Sequence, residues 1–427
     1  MSSTNEILPS QVTKATIITI GDELLIGQVI DTNSAWIAQQ LNLIGIQVTK
    51  RLAVGDVWEE IWQAIDAEMT VANILILTGG LGPTADDLTK PLLCEYFKGK
   101  LVRHQPTFDH LQVLFDSILK RPFTERNQLQ ALVPDTCQVL LNQVGTAPGM
   151  FFKKQQTWLF SLPGVPFEMK WLMQHEVLPM IQKEFVGKCI QHKTLLTAGV
   201  GESFLADMVS SYEQQLPQQI KMAYLPNFGM VRLRLTCSGT HEQEVNQQIT
   251  AAFDQLKEIV APYLVADQDI SLQQAVANLL SQQGATLATA ESCTGGYIAH
   301  LFTAMSGASH YFKGGVVSYS NEIKESLLHV HNQTIEKEGA VSEATVKEMV
   351  IGAIEQFGST YAVAVSGIMG PDGGSENKPV GMAWIAVANQ KIIRTKQIFN
   401  RFDREKNIQI TANHAINMLR MLIVDNR

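Results

Sequence analysis

The feature that most restricts the fold is a short apolar run at residues 285–290, which stops at Glu-Ser-Cys-Thr-Gly-Gly (291–296) and continues into a helical pattern at 297–302. A short apolar run closed by glycines is typical of a buried strand in a helix-flanked sheet. A strand that turns directly into a helix places free backbone amides beside the turn. We therefore expect Ser292 at a helix N-terminus, where an acyl-transfer nucleophile is stabilised.

A second strand-and-turn segment, residues 314–324, ends at Lys324. A serine hydroxyl needs a base to take its proton, and no histidine or cysteine signature accompanies Ser292. Lys324 can be that base if burial or a neighbouring cation lowers its pKa from about 10.4. Tyr319 can orient the amine or relay the proton. The plainer interpretation, a helix cap at Ser292 and a solvated face at Lys324, stays open.

Cys293 is the alternative nucleophile. A thiol beside a helix N-terminus can have a lowered pKa and needs less activation than a hydroxyl. Adjacent residues at such a turn point in different directions, so only one of the two faces a pocket. We favour Ser292.

A glycine-rich loop follows a third predicted strand, at residues 361–366, and a fourth predicted strand begins at Met382. The loop reads Gly-Ile-Met-Gly-Pro-Asp-Gly-Gly (367–374). Glycines at the end of a buried strand let backbone amides approach a phosphate or a carboxamide closely. Pro-Asp-Gly-Gly is also an ordinary turn sequence, so the loop predicts a ligand site only together with Ser292 and Lys324.

Length and composition narrow the class of protein. A chain of 427 residues exceeds what one hydrophobic core organises, so two or three domains are expected. The net charge of −8 and the absence of a basic run argue against nucleic acid as the main partner. The sequence shows no signal pattern and no apolar run of about 20 residues, which predicts no membrane association and a cytoplasmic location. The five scattered cysteines fit free thiols in a reducing compartment.

The N-terminal half shows the same alternation of strand, turn and helix. Strands are predicted at 15–20, 46–54 and 74–77, and a helix at 58–69. This order predicts a parallel sheet whose polar turns lie on one edge. In the turn at 78–87, glycine amides can hold a pyrophosphate while Asp86 and Asp87 hold a divalent cation. A tight turn with an N-cap aspartate is the alternative.

The C-terminal motifs resemble those of the CinA family, the nicotinamide mononucleotide (NMN) amidohydrolases. They are Glu-Ser-Cys-Thr-Gly-Gly, Val-Ser-Tyr-Ser-Asn-Glu-Ile-Lys, Gly-Ala-Val-Ser-Glu and Ser-Gly-Ile-Met-Gly-Pro-Asp-Gly-Gly. The resemblance implies a hydrolase that converts NMN to nicotinate mononucleotide and ammonia without a metal or other cofactor, with Ser292 as nucleophile, Lys324 as base and Tyr319 as an assisting hydroxyl.

The resemblance also implies a set of substrate-binding residues in this half. The family usually shows Phe-x-Gly-Asp-Arg near the end, whereas this chain has an extra residue and no glycine between Phe399 and Arg404. The implied substrate-binding residues are Thr294, Gly295, Gly296, Ser366, Gly367, Gly370, Gly373, Gly374 and Arg404.

The N-terminal motifs resemble the first domain of full-length CinA proteins, which is similar to molybdopterin-binding domains. Leu81 stands where the molybdopterin relatives usually have threonine, which favours the CinA branch. The resemblance implies ADP-ribose pyrophosphatase activity that depends on a divalent metal (Mg²⁺, Mn²⁺ or Co²⁺). The substrate-binding candidates are Gly79, Gly80, Gly82, Thr84 and Asn33, and the metal or acid–base candidates are Asp86, Asp87, Asp22 and Asp56.

We therefore predict two three-layer α/β/α domains with mainly parallel sheets, joined by a small KH-like α+β domain. The predicted domains are 1–171, 172–258 and 271–427, with a linker at 259–270. The middle domain lacks the Gly-x-x-Gly loop and the basic flank of RNA-binding KH domains, so we interpret it as a spacer or dimerisation element.

The predicted protein is a homodimer that acts on NMN and ADP-ribose. One alternative makes the N-terminal half a non-catalytic nucleotide- or pterin-binding module with a role in competence. A second makes the protein an assembly factor with two relic sites, against which the intact Ser292 and Lys324 argue.

Overall fold

A computed structural model describes residues 13–84, 86–185, 189–239 and 241–426. They fall into two compact units: the first lies within Met1–Gln191 and takes in Cys237–Asn246, and the second comprises His192–Thr236 and Gln247–Arg427. In the parts of the chain that the structure describes, no helix combines the length and apolar character needed to cross a membrane. The domain boundaries predicted at 171, 258 and 270 stay predictions.

Strands and helices alternate along the first unit as far as Arg103, as predicted, whereas the four described strands at 132–162 follow one another with no helix between them. The strands are β1 (Lys14–Ile20), β2 (Gln47–Val54), β3 (Ile74–Thr78), β4 (Leu101–Arg103), β5 (Leu132–Pro134), β6 (Gln138–Leu140), β7 (Gly149–Lys154) and β8 (Thr157–Leu162). The α-helices are α1 (Asp22–Leu25), α2 (Thr32–Leu43), α3 (Trp58–Glu68), α4 (Thr89–Tyr96), α5 (Gln105–Val113), α6 (Glu125–Gln128), α7 (Pro166–Leu172) and α8 (Leu178–Glu184). Shorter π- or 3₁₀-helical segments are Leu114–Leu119, Leu129–Ala131 and Met173–Val177.

The first unit is organised by a six-stranded sheet in the order β2-β1-β3-β8-β7-β6. The first four strands are parallel, whereas β7 and β6 run antiparallel to their neighbours. Every residue of β3 is buried, because apolar clusters that include Ile74 and Ile76 on one face and Leu75 and Leu77 on the other cover the sheet. The turns after the four parallel strands therefore lie on one edge, as predicted.

The remaining elements lie wholly or mostly in the second unit; β9, β11 and α10 each have a few residues in the first. Its strands are β9 (Cys189–Ala198), β10 (Ile220–Asn227), β11 (Met230–Gly239), β12 (Leu264–Ala266), β13 (Leu287–Glu291), β14 (Phe312–Val317), β15 (Tyr361–Gly367), β16 (Met382–Asn389) and β17 (Ile393–Phe399). Its α-helices are α9 (Glu202–Gln215), α10 (Glu242–Ile259), α11 (Leu272–Gln283), α12 (Tyr297–Thr303), α13 (Asn321–Leu328), α14 (Asn332–Glu338), α15 (Glu343–Phe357) and α16 (Arg404–Asp425). Short 3₁₀ segments are Ala261–Tyr263 and Ala308–His310.

The larger sheet of the second unit has the order β14-β13-β15-β16-β17. Strands β14, β13 and β15 are parallel, and β16 and β17 are each antiparallel to the preceding strand. Apolar clusters cover both faces, one built largely on α11 and α16 and the other on α15. The loops after β13, β14 and β15 consequently meet at one edge of the sheet, where the predicted site residues lie.

A second sheet in this unit has the order β10-β11-β9-β12. Strand β12 pairs antiparallel with β9 and lies inside the segment 259–270 that we predicted to be a linker. This strand was not predicted, because it has only three residues and follows a Pro-containing stretch. The predicted fold class, mainly parallel α/β sheets with a small α+β element between them in sequence, is confirmed.

Candidate active site

The turn that carries Ser292 follows β13 directly, and its backbone is tied to β15. Ser292 is 8% exposed, and its amide donates to the carbonyl of Val365 at 3.0 Å. Gly295 and Gly296 both have positive φ, at 61° and 96°, which is why glycine suits these positions. Helix α12 begins only at Tyr297, so the prediction that Ser292 itself occupies a helix N-terminus is wrong.

The carboxylate of Glu291, for which no role was predicted, accepts hydrogen bonds from the N-terminal amides of α12. Its side chain is fully buried and accepts hydrogen bonds from Ile298 N at 2.9 Å, Ala299 N at 2.8 Å and the Thr294 hydroxyl at 2.7 Å. Three donors around two oxygens suit a carboxylate, which only accepts, and the positive end of the helix dipole favours its charge. Thr294, predicted to bind substrate, therefore has its hydroxyl directed to Glu291.

Lys324 lies in α13, and its side chain is 1% exposed. Its Nζ lies 3.3 Å from Ser292 Oγ and donates to the carbonyl of Ser318 at 2.8 Å. Burial lowers the pKa of Lys324, which increases the fraction of neutral amine near neutral pH. Ser318 also connects the two segments, because its amide donates to the carbonyl of Glu291 at 2.8 Å. The structure thus brings the predicted nucleophile and the predicted base into direct contact.

Cys293 faces away from this contact. It is 5% exposed and belongs to the apolar cluster formed largely by α11 and α16. Burial raises the pKa of the Cys293 thiol to about 12, so the thiol stays protonated and poorly nucleophilic. These observations favour Ser292 over Cys293 as the nucleophile.

Arg404 reaches the same edge of the sheet despite the unusual spacing around it. Asp403 is the N-cap of α16, and Arg404 is the first residue of that helix. The Arg404 guanidinium donates to the carbonyl of Gly370 at 2.8 Å and to the hydroxyl of Tyr319 at 3.0 Å. Tyr319 is 64% exposed, and its hydroxyl is engaged by Arg404 instead of Lys324. The geometry therefore connects Tyr319 to an anion-binding arginine more directly than to proton transfer.

A buried asparagine holds the glycine loop and the Arg404 segment together. Asn407 is fully buried, and its Nδ2 donates to the carbonyls of Met369 at 3.0 Å and Phe402 at 2.9 Å, while its Oδ1 accepts from Phe402 N. This role could not be predicted, because an asparagine inside a helical pattern carries no signal of its tertiary partners.

The predicted loop 367–374 keeps close backbone contacts. The hydroxyl of Ser366 donates to the carbonyl of Ala340 at 2.7 Å, so it supports the loop from beneath. Gly370 and Gly373 have φ values of 86° and 90°, and a Cβ at Gly367 would lie 2.7 Å from that of Ala383. A Cβ at Gly374 would lie 2.9 Å from the Val380 amide. The glycines are thus required by the fold of the loop, whether or not a ligand approaches it.

A groove of about 400 Å³ lies beside the nucleophile turn. Its polar wall includes His300 and Glu405, and its apolar wall includes Ile408. The predicted residues Thr294, Gly295 and Gly296 also line it. Among the described residues, the backbone amides of Thr294 and Gly296 make no hydrogen bond, so they are candidates to bind a developing oxyanion.

The predicted site of the first unit lies at the edge where its parallel strands end. Gly79 and Gly80 follow β3, and a Cβ at Gly79 would lie 2.2 Å from the carbonyl oxygen of Ile20. Asn33 Nδ2 donates to the Gly164 carbonyl at 2.7 Å and to Thr78 Oγ1 at 3.3 Å, whereas its buried Oδ1 has no partner among the residues that the structure describes. Asn33 lines a cavity of about 140 Å³ at this edge.

The carboxylates of the first unit fall into two local arrangements. Asp22 and Asp56 each accept a hydrogen bond from the other's backbone amide at 3.1 Å. Burial raises the pKa of Asp56, and the charges of Asp22, Glu23 and Asp86 raise it further.

Asp87 closes its own loop, because it accepts from Gly82 N at 2.8 Å, from Thr84 N at 2.9 Å and from the Thr84 hydroxyl. Asp86 is exposed.

The metal implied by the family resemblance does not find a prepared site here. Across the residues that the structure describes, no group of three or more histidine, cysteine, aspartate or glutamate side chains is arranged to hold a metal ion. The contacts of Asp87 match the tight turn of the alternative interpretation, but not its N-cap aspartate, because the N-cap of α4 is Leu88. We therefore derive no chemical step through a metal in this unit.

The fold and the site define a multidomain α/β protein that carries a buried serine–lysine pair at the edge of a parallel sheet. Residues 269–423 match the CinA C-terminal domain, residues 192–266 the KH domain of the damage-inducible protein CinA, and residues 16–183 the probable molybdopterin binding domain. The chain belongs to the CinA family, and this membership suggests a hydrolase.

Similar proteins extend over nearly the whole chain. A CinA-like protein of Flavobacterium psychrophilum is 43% identical over 97% of this chain and 99% of its own length, and one of Cytophaga hutchinsonii is 44% identical over 95% and 97%. Among solved structures, the competence damage-inducible protein A of Klebsiella pneumoniae is 35% identical, covers 36% of this chain and 95% of its own, and has a TM-score of 0.35.

Proposed function

We propose that the second unit hydrolyses the carboxamide of NMN to nicotinate mononucleotide and ammonia, without a metal in that step. The observation that carries the proposal is the 3.3 Å contact between the buried Lys324 Nζ and Ser292 Oγ. A lysine whose pKa burial lowers is suited to the role of general base for a serine.

In the proposed first half-reaction, neutral Lys324 takes the proton of the Ser292 hydroxyl while Oγ attacks the carboxamide carbon. The amides of Thr294 and Gly296 stabilise the oxyanion of the tetrahedral intermediate. The C–N bond then breaks, the lysine returns its proton to the leaving nitrogen, and ammonia departs. A nicotinoyl ester of Ser292 remains.

In the second half-reaction, Lys324 takes a proton from water, and the hydroxide oxygen attacks the ester. The C–O bond to Ser292 breaks, and the serine recovers its proton from the lysine. Arg404, held by Gly370 and Tyr319, supplies the charge that would bind the mononucleotide phosphate.

The test is release of ammonia and nicotinate mononucleotide from NMN by the full chain in excess EDTA. Turnover by the wild type that disappears in Ser292→Ala and in Lys324→Ala supports the proposal. Lys378→Ala is the matched control, because this half-buried lysine donates to the Glu338 carbonyl outside the serine–lysine contact. No turnover by folded wild type, or full activity of Ser292→Ala, contradicts it.

For the first unit, we propose a metal-dependent ADP-ribose pyrophosphatase that forms AMP and ribose 5-phosphate. Two observations favour it: the glycine turn and the acidic residues share one edge of the sheet, and the charges of Asp22 and Asp86 both act on Asp56. Because both proposed substrates derive from NAD, the two activities would serve one salvage process.

The pyrophosphatase proposal is tested by AMP release from ADP-ribose with Mg²⁺, Mn²⁺ or Co²⁺ added in turn. Activity that Asp86→Asn abolishes supports it. Binding of ADP-ribose without AMP release at any metal concentration supports the alternative, a nucleotide- or pterin-binding module with a role in competence.

The family resemblance further leads us to propose a cytoplasmic homodimer that acts on small nucleotides. The mass of the full chain in solution, measured by light scattering, tests the dimer. A monomer at micromolar concentration contradicts this part of the proposal.

A further inference from the structure

A second cavity in the catalytic unit lies between the edge strand β17 and the second half of α16. Its volume is about 530 Å³, within the usual range for small-molecule sites. It lies along α16 from Arg404, at a distance of about 15 Å for ten residues of helix. The lining residues are Gly199, Arg394, Thr395, Lys396, His414, Asn417, Met418 and Met421.

The charged lining of this cavity is cationic. Lys396 makes no ion pair with any residue that the structure describes, whereas Arg394 is bonded to Asp425 at 2.6 Å. No carboxylate of the described part of the chain lines the cavity. In a chain whose net charge is −8, this local excess of positive charge stands out.

The neutral polar groups present donors as well. Asn417 Oδ1 accepts from Arg420 Nε at 3.0 Å, so the oxygen of this amide is engaged and its NH₂ group is left as a donor. Gly199 also lines the cavity, and a Cβ there would lie 3.5 Å from the Asn417 NH₂ group. This distance locates the NH₂ group at the cavity wall. His414 adds an imidazole N–H. Burial lowers the pKa of His414, and the charge of Lys396 lowers it further, so the field of the lysine reaches this wall.

Met418 and Met421 supply an apolar wall on α16, on the helix face that also carries His414 and Asn417. Methionine side chains are flexible and polarisable, and they adapt to flat or irregular apolar groups. A ligand that satisfies both walls needs acceptor oxygens at one end and an apolar body at the other.

We propose that this cavity is a binding site for a small organic anion of mononucleotide size, with its phosphate or carboxylate on Lys396 and its apolar body on the two methionines. Phosphate and carboxylate share the required chemistry, since both offer only acceptors to cationic donors. The site does not depend on the proposed amidase activity.

The experiment is methionine-methyl NMR of the full chain, with AMP as the phosphate probe and benzoate as the carboxylate probe. The methyl signals are assigned with Met418→Leu and Met421→Leu. Met369 serves as an internal reference for the active site, because its backbone carbonyl is bonded to Asn407 beside the Arg404 segment.

We expect saturable shifts of Met418 and Met421 with at least one probe, and at least about tenfold weaker binding in Lys396→Gln, the loss expected for one charged hydrogen bond. Lys391→Gln is the matched control, because it removes an exposed lysine from the same hairpin outside this cavity. Which probe binds more tightly identifies the head group.

Three results would overturn the proposal. One is the absence of shifts with both probes up to about 10 mM. It would mean that the dissociation constant exceeds about 10 mM, a standard binding free energy weaker than about −3 kcal/mol. Another is equal binding by Lys396→Gln and the wild type, which means that only the apolar wall holds the probe. The third is equal weakening by Lys391→Gln, which means that general surface charge accounts for the binding.

Discussion

The two glycine turns of this protein lie at equivalent places, each after a buried parallel strand, yet their reactive side chains are prepared very differently. Beside β13, Lys324 is 1% exposed and already touches Ser292. Beside β3, Asp86 is exposed and Asp87 is bonded to the backbone of its own loop.

This difference matches the two chemistries that we propose. A serine becomes nucleophilic only if a neutral base contacts it, so the base has to be buried and in place before substrate arrives. Hydrolysis of a pyrophosphate with a divalent cation draws part of its site from the ligand, so the protein can leave its carboxylates exposed. Under these two proposals, the degree of burial separates a self-sufficient site from one that a metal and its substrate would complete.

The largest expected effect is on the serine–lysine pair. Lys324→Ala removes the base, and we expect kcat for NMN to fall by at least about 10³-fold, in the range measured for general-base groups. Circular dichroism of the variant checks that the fold is retained. A loss below about tenfold would show that Lys324 does not act as the general base for Ser292.

The buried carboxylate behind the nucleophile is expected to matter next. Glu291→Gln replaces an acceptor oxygen by an NH₂ group and leaves a buried donor unsatisfied, at a cost of about 2–3 kcal/mol. Hydrogen exchange of the Ile298 and Ala299 amides measures this locally and should become about 30- to 150-fold faster. The matched variant Glu405→Gln, at an exposed position, should leave both amides unchanged.

The pH dependence of NMN hydrolysis sharpens the comparison from the side of the base. Lys324 must be neutral to accept a proton, and burial lowers its pKa from the ordinary 10.5. The rate constant kcat/KM should therefore fall tenfold per pH unit below a midpoint that lies under 10.5, and reach a plateau above it. A profile that is flat from about pH 6 to pH 10 would contradict a titrating lysine base.

Within the first unit, substitutions of Asp86 and Asp87 should have different effects on stability. Asp87→Ala removes the acceptor for Gly82 N and Thr84 N, and we expect a loss of about 1 kcal/mol, seen as faster hydrogen exchange of the Gly82 amide. Asp86→Asn, at an exposed position, should change stability by less than about 0.5 kcal/mol. Equal effects of the two variants would remove the distinction between the carboxylate that closes the loop, Asp87, and the exposed carboxylate of Asp86.

The smallest effect is expected at Cys293. Because its thiol is buried and its pKa is raised to about 12, iodoacetamide should not modify it in the native protein. Cys293→Ala should keep kcat for NMN within about threefold and cost about 1 kcal/mol through the lost core contact. Abolished turnover in this variant, with Ser292→Ala still active, would reverse the choice of nucleophile.

Much of the fold could be predicted because its signals are local. The runs at 74–77 and 361–365 are apolar throughout, and a glycine follows each of them two residues later, which indicates buried parallel strands whatever the distant sequence is. Strand β12 escaped prediction because a three-residue strand has no period and exists only by pairing with β9. Short elements of this kind depend on a partner that the local sequence does not show.

For the candidate site, sequence alone supplied the reactive residue types, their order along the chain and their place after strands β13, β14 and β15. Tertiary structure alone decided that Lys324 reaches Ser292, that Cys293 packs into the core and that the Glu291 carboxylate binds the first amides of α12. The physical reason is that contact and burial depend on register between strands and on packing against helices far away in sequence. The same packing lowers the pKa of Lys324, the base for Ser292, and raises the pKa of Cys293. These two shifts favour Ser292 over its neighbour Cys293 as the nucleophile.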